Sequence, residues 1–167
     1  MMTNNPDVRL TIKRQNRKSM VMRVTPEGVI VFIPKWLKPD SPEVREFIQD
    51  GLEKFDGRIP HSPPPQLTSE EAIRDMVQEW TVRIGVQPKR VRFRSMYTRW
   101  GSCSSKDNIS LNRNLFYLPE RLVEYVVCHE LVHLQELNHS KAFWDLMSHY
   151  MPDWKARKKE LDNWRYV

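Results

Sequence analysis

The chain has 167 residues and a mass of 20.0 kDa, and 40% of its residues are hydrophobic and 29% charged. This composition is typical of a folded protein of about one ordinary domain, and it excludes an extended disordered chain. Its two cysteines, Cys103 and Cys128, are too few for the disulfide framework of a small secreted protein. Because no signal-peptide pattern and no apolar run of about 18 residues is visible, we expect a cytoplasmic protein that does not enter a membrane.

The N-terminal part of the chain has the alternating pattern of short β-strands. Apolar and polar residues alternate from Val8 to Ile12 and more loosely from Met20 to Val24, and residues 29–33 form a short apolar run. Between the last two segments, Pro26, Glu27 and Gly28 have the chemistry of a turn. We therefore predict a small antiparallel β-meander.

A helix and a proline-rich segment follow the predicted meander. Residues 40–43 (Asp-Ser-Pro-Glu) favour a helix start, and the helix is expected to end near Gly57. Residues 60–65 (Pro-His-Ser-Pro-Pro-Pro) can form neither a regular helix nor a central strand, so they predict a stiff linker. This pattern divides the chain into a β-meander with a helix (1–59), a proline-rich linker (60–67) and a core (68–167).

Helices and strands alternate beyond the linker, which indicates an α+β fold. Residues 68–71 (Thr-Ser-Glu-Glu) match a capping box that opens a helix through Ile84. Basic and apolar residues alternate over 90–95, which predicts a strand with one basic face. The other predicted elements are a loop at 100–105, a strand from about Asn108 to Tyr117, and helices over 119–137, 140–152 and 153–163.

The residues most suited to chemistry lie in the predicted helix 119–137, in the sequence His129-Glu130-Leu131-Val132-His133. Side chains four residues apart lie on the same face of a helix, so both imidazoles can bind one cation. Neutral imidazole is a good ligand for Zn²⁺. Glu130 is offset around the helix, where a general base can take a proton from a water that the metal activates.

His139 is the candidate for the third ligand that a catalytic zinc requires. Asn138 tolerates left-handed geometry and so favours a helix end after Leu137, and Ser140 is a suitable cap for the next helix. We therefore predict that His129, His133 and His139 bind Zn²⁺ and that Glu130 is the general base for a water that the metal activates.

A polar helix face with two solvated histidines is the simpler alternative. The helix is apolar over most of its circumference, however, which is typical of burial, through Val126, Val127, Leu131, Val132 and Leu134. Two histidines and a glutamate in a buried helix need partners, and a metal ion supplies one. Since three histidines also accept other divalent ions, the sequence favours zinc without requiring it.

Several short segments between Arg99 and Trp154 share the pattern of one protein family. They are Arg99–Cys103, Asn108–Asn112, Val127–His133, Asn138–Ser140, Phe143–Trp144 and Met151–Trp154. On these segments the chain resembles the YgjP-like metallopeptidase domain, a zincin relative of the SprT and WLM proteases. The resemblance implies a minimal zincin fold, in which an active-site helix packs on a small sheet. It also implies that His129, His133 and His139 bind zinc and that Glu130 is the base.

Two further comparisons concern the family and the substrate. The same histidine spacing occurs in metzincins, but these have glycine three residues after the second histidine, where Glu136 stands here. The resemblance implies a protein or peptide substrate held along an edge strand. If the strand at 108–112 lies at the sheet edge, its backbone can pair with such a substrate.

Two segments carry basic residues and no acidic ones, residues 8–26 and residues 89–106. Solvated strand faces that aid solubility are the simple explanation. The alternative is nucleic-acid binding, because lysine and arginine contacts to phosphates give sequence-independent affinity. The competing function is accordingly a nucleic-acid-associated protein, either a protease recruited by DNA or a basic binding module with a structural zinc.

Overall fold

The computed structural model describes residues 9–26, 28–55 and 65–164, and the chain forms two compact units whose boundary in the sequence lies between Pro64 and Pro65. Val8, the helix end near Gly57 and residues 60–64 of the predicted linker lie outside the described residues.

The fold is α+β, as predicted. Its strands are β1 (Leu10–Gln15), β2 (Val21–Thr25), β3 (Gly28–Pro34), β4 (Arg90–Arg94), β5 (Gly101–Cys103) and β6 (Asn108–Asn112). Its helices are α1 (Pro42–Lys54), α2 (Glu70–Ile84), the 3-10 helix Arg113–Tyr117, α3 (Glu120–Val132), α4 (Lys141–Tyr150) and α5 (Trp154–Asn163).

The N-terminal unit contains a mixed sheet, so the predicted antiparallel meander is wrong at one pairing. The strand order is β1-β3-β2; β2 pairs with β3 in antiparallel fashion, but β1 pairs with β3 in parallel. The most apolar strand, β3, takes the centre, where Val29, Val31 and Ile33 are fully buried. Gly28 permits the parallel neighbour, because a Cβ there would come within 2.3 Å of the Arg9 carbonyl oxygen.

Helix α1 completes the N-terminal unit. Val44 is buried against the apolar side chains of β3, and Phe47 and Ile48 pack around the same cluster. Pro42 lies in its first turn, as the sequence predicts, while Ser41 occupies the N-cap position without a side-chain hydrogen bond. A small apolar core thus forms entirely within residues 12–55.

The C-terminal unit has a second sheet with the strand order β4-β6-β5. Strand β4 pairs with β6 in parallel, and β5 pairs with β6 in antiparallel fashion. The predicted loop at 100–105 therefore contains strand β5, and the strand predicted from Asn108 to Tyr117 ends at Asn112. The strand ends there because the Asn112 side chain accepts a hydrogen bond from the Asn114 N–H (3.1 Å) and caps the 3-10 helix. Since β6 is central, its backbone is not available at a sheet edge.

The helices of the C-terminal unit share one apolar core with this sheet. Helix α3 is buried on nearly all sides, which agrees with its apolar sequence. Helix α2 ends at Ile84, as predicted, and Gly85 follows in left-handed geometry with a φ of 74°. Its start lies one residue after that of the predicted capping box, because Ser69 is the N-cap and its Oγ accepts from the Ala72 N–H (3.0 Å), whereas Thr68 Oγ1 donates to the Leu118 carbonyl (3.3 Å). No helix in the described part of the chain is long and apolar enough to cross a membrane.

Candidate metal centre

The last turn of α3 carries His129 and Glu130, and His133 is its C-terminal cap. The helix is thus shorter than the predicted one, which extends to Leu137. After Val132 the backbone tightens into a turn, because the Leu134 N–H bonds to the carbonyl of Leu131 rather than to one four residues back. The His133 ring holds this turn in place, with its Nδ1 3.0 Å from the carbonyl oxygen of Glu136. That contact leaves Nε2 of His133 free to face the other histidines.

The segment after this turn returns His139 to the end of α3. Ser140 caps α4 as predicted, since its hydroxyl accepts from the Phe143 N–H (3.4 Å). His139 precedes this cap, and its Nε2 lies 3.0 Å from Nε2 of His129. One ring nitrogen from each of His129, His133 and His139 lies within 4.8 Å of the others. The structure therefore brings together the three histidines that the sequence analysis singled out.

The chemistry of this cluster fits a divalent metal ion. Burial, together with the neighbouring imidazoles, lowers the pKa of His129 to about 3, and burial also lowers the pKa of His133. Both rings are therefore neutral at physiological pH, which is the form that binds metals. Nδ1 of His129 is buried without a hydrogen-bond partner among the described residues. Three ring nitrogens that lie so close together, with no acidic side chain in the cluster, can bind one cation.

Glu130 lies beside the three histidines but does not belong to their cluster. Its side chain is only 5% exposed, and Oε2 is buried without a hydrogen-bond partner among the described residues. Burial raises the pKa of Glu130 to about 8, and the nearby Arg99 partly opposes this shift. The carboxyl group borders a cavity of about 410 Å³ that the three histidines also line. A proton-accepting group and three metal-binding groups thus face the same space.

Aromatic side chains of α4 support the three histidines. The ring of Phe143 is fully buried and contacts all three imidazoles, with centroid distances of 4.9, 4.5 and 4.7 Å. Trp144 stacks on His139 at 5.5 Å and on Trp154 at 4.3 Å. The sequence predicts a helix that carries Phe143 and Trp144, but it does not indicate that these two residues support the ligand rings.

Sequence reasoning also missed two residues that shape the opposite wall of the cavity. Gly101 of β5 lies directly against Glu130, and a Cβ at this position would come within 2.5 Å of Glu130 Oε1. Asn112 is 3% exposed, and its Nδ2 donates to the carbonyl oxygens of Met96 (2.7 Å) and Arg99 (2.9 Å). These bonds fix the segment that leads into β5. The signal available from the sequence was a polar residue that follows the buried Leu111 at a strand end.

The sequence of the C-terminal unit identifies the protein family. Residues 66–164, more than half of the chain, match the sequence model of the family described as the YgjP-like metallopeptidase domain. The chain belongs to the YgjP-like metallopeptidase family. It is accordingly a peptidase of the hydrolase class, and the family implies a metal ion that His129, His133 and His139 could hold.

Two solved structures are similar to this YgjP-like protein. One is the metallopeptidase zymogen abylysin of Pyrococcus abyssi, with 24% identity and a TM-score of 0.49 over 53% of this chain and 90% of that chain. The other is the metallopeptidase zymogen jannalysin of Methanocaldococcus jannaschii, with 21% identity and a TM-score of 0.49 over 55% of this chain and 94% of that chain. Among curated proteins, none is significantly similar to the chain in sequence.

The edge of the YgjP-like domain that borders the cavity is strand β5. Ser102 stands opposite Ser110 of β6, and the neighbouring ladder bonds run from the Asn112 N–H to Trp100 O and from the Ser104 N–H to Asn108 O. In an antiparallel ladder, alternate residues direct their backbone groups to one neighbour. The N–H and C=O groups of Gly101 and Cys103 therefore point away from β6, towards the free edge.

Proposed function

We propose that this protein is a zinc-dependent endopeptidase that cleaves protein substrates at the cavity between α3 and β5. The observation that carries the proposal is the convergence of three imidazoles beside one buried carboxyl group, that of Glu130, in a single cavity. Three histidine ligands with an open fourth position are the usual protein contribution to a catalytic zinc.

His129, His133 and His139 would hold the zinc ion, each through a ring nitrogen. A zinc ion there would polarise the scissile carbonyl group and lower the pKa of the attacking water. The contact between His133 Nδ1 and the Glu136 carbonyl supports this assignment, because a hydrogen bond at one ring nitrogen fixes the tautomer and orients the other. Phe143 keeps water away from the sides of the rings that face the core.

Glu130 would act as the general base and then as the general acid. Its carboxylate accepts a proton from the attacking water and returns this proton to the amine that leaves. Burial raises the pKa of this side chain, so its carboxylate is a stronger proton acceptor than that of a solvated glutamate. Gly101 leaves room for the carboxyl group at the wall of the cavity.

The substrate would lie along β5 in an extended conformation. The outward N–H and C=O groups of Gly101 and Cys103 can pair with a peptide backbone, and this pairing leaves side-chain preference to the cavity walls. This role falls to β5 rather than to the strand at 108–112, which the structure places in the middle of the sheet.

The competing function, a basic binding module with a structural zinc, requires a closed metal site. Structural zinc sites have four protein ligands. Among the described residues, no fourth histidine, cysteine, aspartate or glutamate joins the three histidines. The open donor set thus favours catalysis.

Metal analysis combined with a proteomic cleavage screen tests the proposal. We expect about one zinc ion per chain, and new protein N-termini that disappear when the metal is chelated and return when zinc is restored. The screen should be run with and without single- and double-stranded DNA, since cleavage only in the presence of DNA would identify a DNA-recruited protease. A chain that binds zinc but cleaves no unfolded or DNA-bound protein would contradict the proposal.

A further inference from the structure

The sheet of the C-terminal unit has a second face that the metal centre does not use. Val91 and Phe93 of β4 pack against the apolar core, whereas Arg90, Arg92 and Arg94 are exposed on the other face. Alternate residues of a strand recur about every 6.6 Å on the same face. We call the side chains of Arg90, Arg92 and Arg94 the arginine row.

The arginine row forms one wall of a cavity of about 390 Å³. The remaining wall consists of β5, β6 and the loop between them. Three of its residues carry hydroxyl groups, Ser102, Ser104 and Ser110, and the other two are Asn108 and Ile109. No acidic and no aromatic side chain lines this cavity. Guanidinium and hydroxyl groups together can donate many hydrogen bonds, so the surface suits an anion that has several oxygen atoms.

The charges of the arginine row are not neutralised within the described part of the chain, where no aspartate or glutamate forms an ion pair with any of the three. Lys89 and Arg99 of the segment 89–106 are engaged elsewhere. Lys89 pairs with Asp107 at 2.9 Å, and Arg99 lines the cavity of the metal centre. Three of the six basic residues of this segment thus present available donors on a single face of the sheet.

We propose that the arginine row and the hydroxyls of Ser102 and Ser110 bind the phosphate backbone of double-stranded DNA without sequence preference. Guanidinium groups bind phosphates in a bidentate manner, and a regular row of them matches a repeating polyanion. Single strands are usually bound through stacking on aromatic side chains, and no such side chain lines this surface. Arginine and serine side chains on a sheet face can contact the phosphates of a duplex without reading base edges in the major groove.

This surface and the metal centre use opposite faces of the same strand. Ser102 and Ser104 of the β5 region border the arginine row, whereas Gly101 lies against Glu130 on the other side. DNA on the outer face would therefore leave the peptidase cavity accessible. The proposal does not rest on the peptidase activity, and the two can fail separately.

Titration of a short fluorescent duplex of mixed sequence with the full-length chain, at a series of salt concentrations, tests the proposal. The variant is R90Q/R92Q/R94Q. The control is R83Q/K155Q/K159Q, which removes the same number of positive charges from exposed positions of α2 and α5. We expect the first variant to bind at least about tenfold more weakly near physiological salt. The slope of the logarithm of the binding constant against the logarithm of the salt concentration should become less steep by about two to three. We expect the control to bind nearly as the unsubstituted chain does.

Several outcomes would overturn the proposal. Equal weakening by both variants would mean that net charge, and not this face, attracts DNA. Failure of the unsubstituted chain to bind duplex at low salt, or tighter binding of a single strand or an acidic peptide of equal charge, would exclude duplex DNA as the partner. Circular dichroism, zinc content and DNA-free protein cleavage should be unchanged in both variants, which separates lost binding from lost folding.

Discussion

Gly101 and Glu130 lie in direct contact across the space between β5 and α3, so that a methyl group on Gly101 would sit 2.5 Å from Oε1 and 2.6 Å from Cγ of Glu130. Real contacts are never this short, so one partner must move if position 101 carries a side chain. Gly101 is not in the left-handed region, and its backbone conformation does not require glycine. The Glu130 carboxyl group can therefore keep its position only because residue 101 has no side chain.

The substitution Gly101→Ala should inactivate the enzyme without unfolding it. The new methyl group displaces the flexible end of Glu130, and a shift of about 1 Å in a catalytic group costs on the order of a hundredfold in rate. We expect kcat/KM for a protein substrate to fall by about this factor, with zinc content unchanged because the histidines are untouched. Cleavage kinetics and metal analysis measure the two quantities.

Ser110→Ala is the matched control, since Ser110 pairs with Ser102 on the neighbouring strand and lines the cavity of the arginine row but not that of the metal centre. It should retain most of the activity. Full activity in Gly101→Ala, or an equal loss in both variants, would show that the contact with Glu130 does not position the base.

The metal ligands could be predicted from the sequence because a local rule relates their spacing to geometry. His129 and His133 stand one helical turn apart, and Ser140 caps α4 directly after His139. The predicted helix break at Asn138 was wrong, because α3 ends at Val132 and Asn138 does not adopt left-handed geometry. Helix α2 could be predicted as well, because its apolar residues repeat with the helical period, although its cap is Ser69 and not Thr68 of the predicted capping box.

The features that sequence reasoning missed depend on partners distant in the chain. Strand β5 has the sequence Gly-Ser-Cys, without apolar alternation, and forms because it pairs with β6. The parallel pairing of β1 with β3 likewise depends on the close approach of Arg9 to Gly28. The early end of α3 at Val132 follows from a turn that the His133 ring stabilises, which helical periodicity does not reveal.

Glu130→Gln should retain zinc and lose turnover by several orders of magnitude. The amide has nearly the same shape as the carboxyl group but cannot accept the proton of the attacking water. Single-turnover cleavage and zinc content are the measurements, with Glu120→Gln in the exposed first turn of α3 as the control. Undiminished cleavage by Glu130→Gln would refute the role of Glu130 as the base.

His139→Ala should weaken zinc binding by more than about a hundredfold, because even substitutions around a ligand cost ten- to a hundredfold. Competition with a fluorescent chelator measures the affinity. His149→Ala is the control, since His149 is exposed on the adjacent helix and contacts Tyr150 instead of the ligand rings. If His139→Ala bound zinc as tightly as this control, the third ligand would have to be another residue.

Asn112→Ala should destabilise the fold and disturb the cavity together. The buried Asn112 side chain donates to the carbonyls of Met96 and Arg99 and caps the following 3-10 helix, so its removal leaves several polar groups unpaired. We expect the free energy of unfolding to fall by about 2–3 kcal/mol, as measured by urea denaturation of the zinc-loaded enzyme. Because the segment that leads to Gly101 loses its anchor, kcat/KM should fall as well under conditions where the variant is folded.

The control, Asn108→Ala on the same strand, removes one hydrogen bond to the Lys106 carbonyl and should lower the free energy of unfolding by less than about 1 kcal/mol. Equal stability of the two variants would show that Asn112 does not anchor β5.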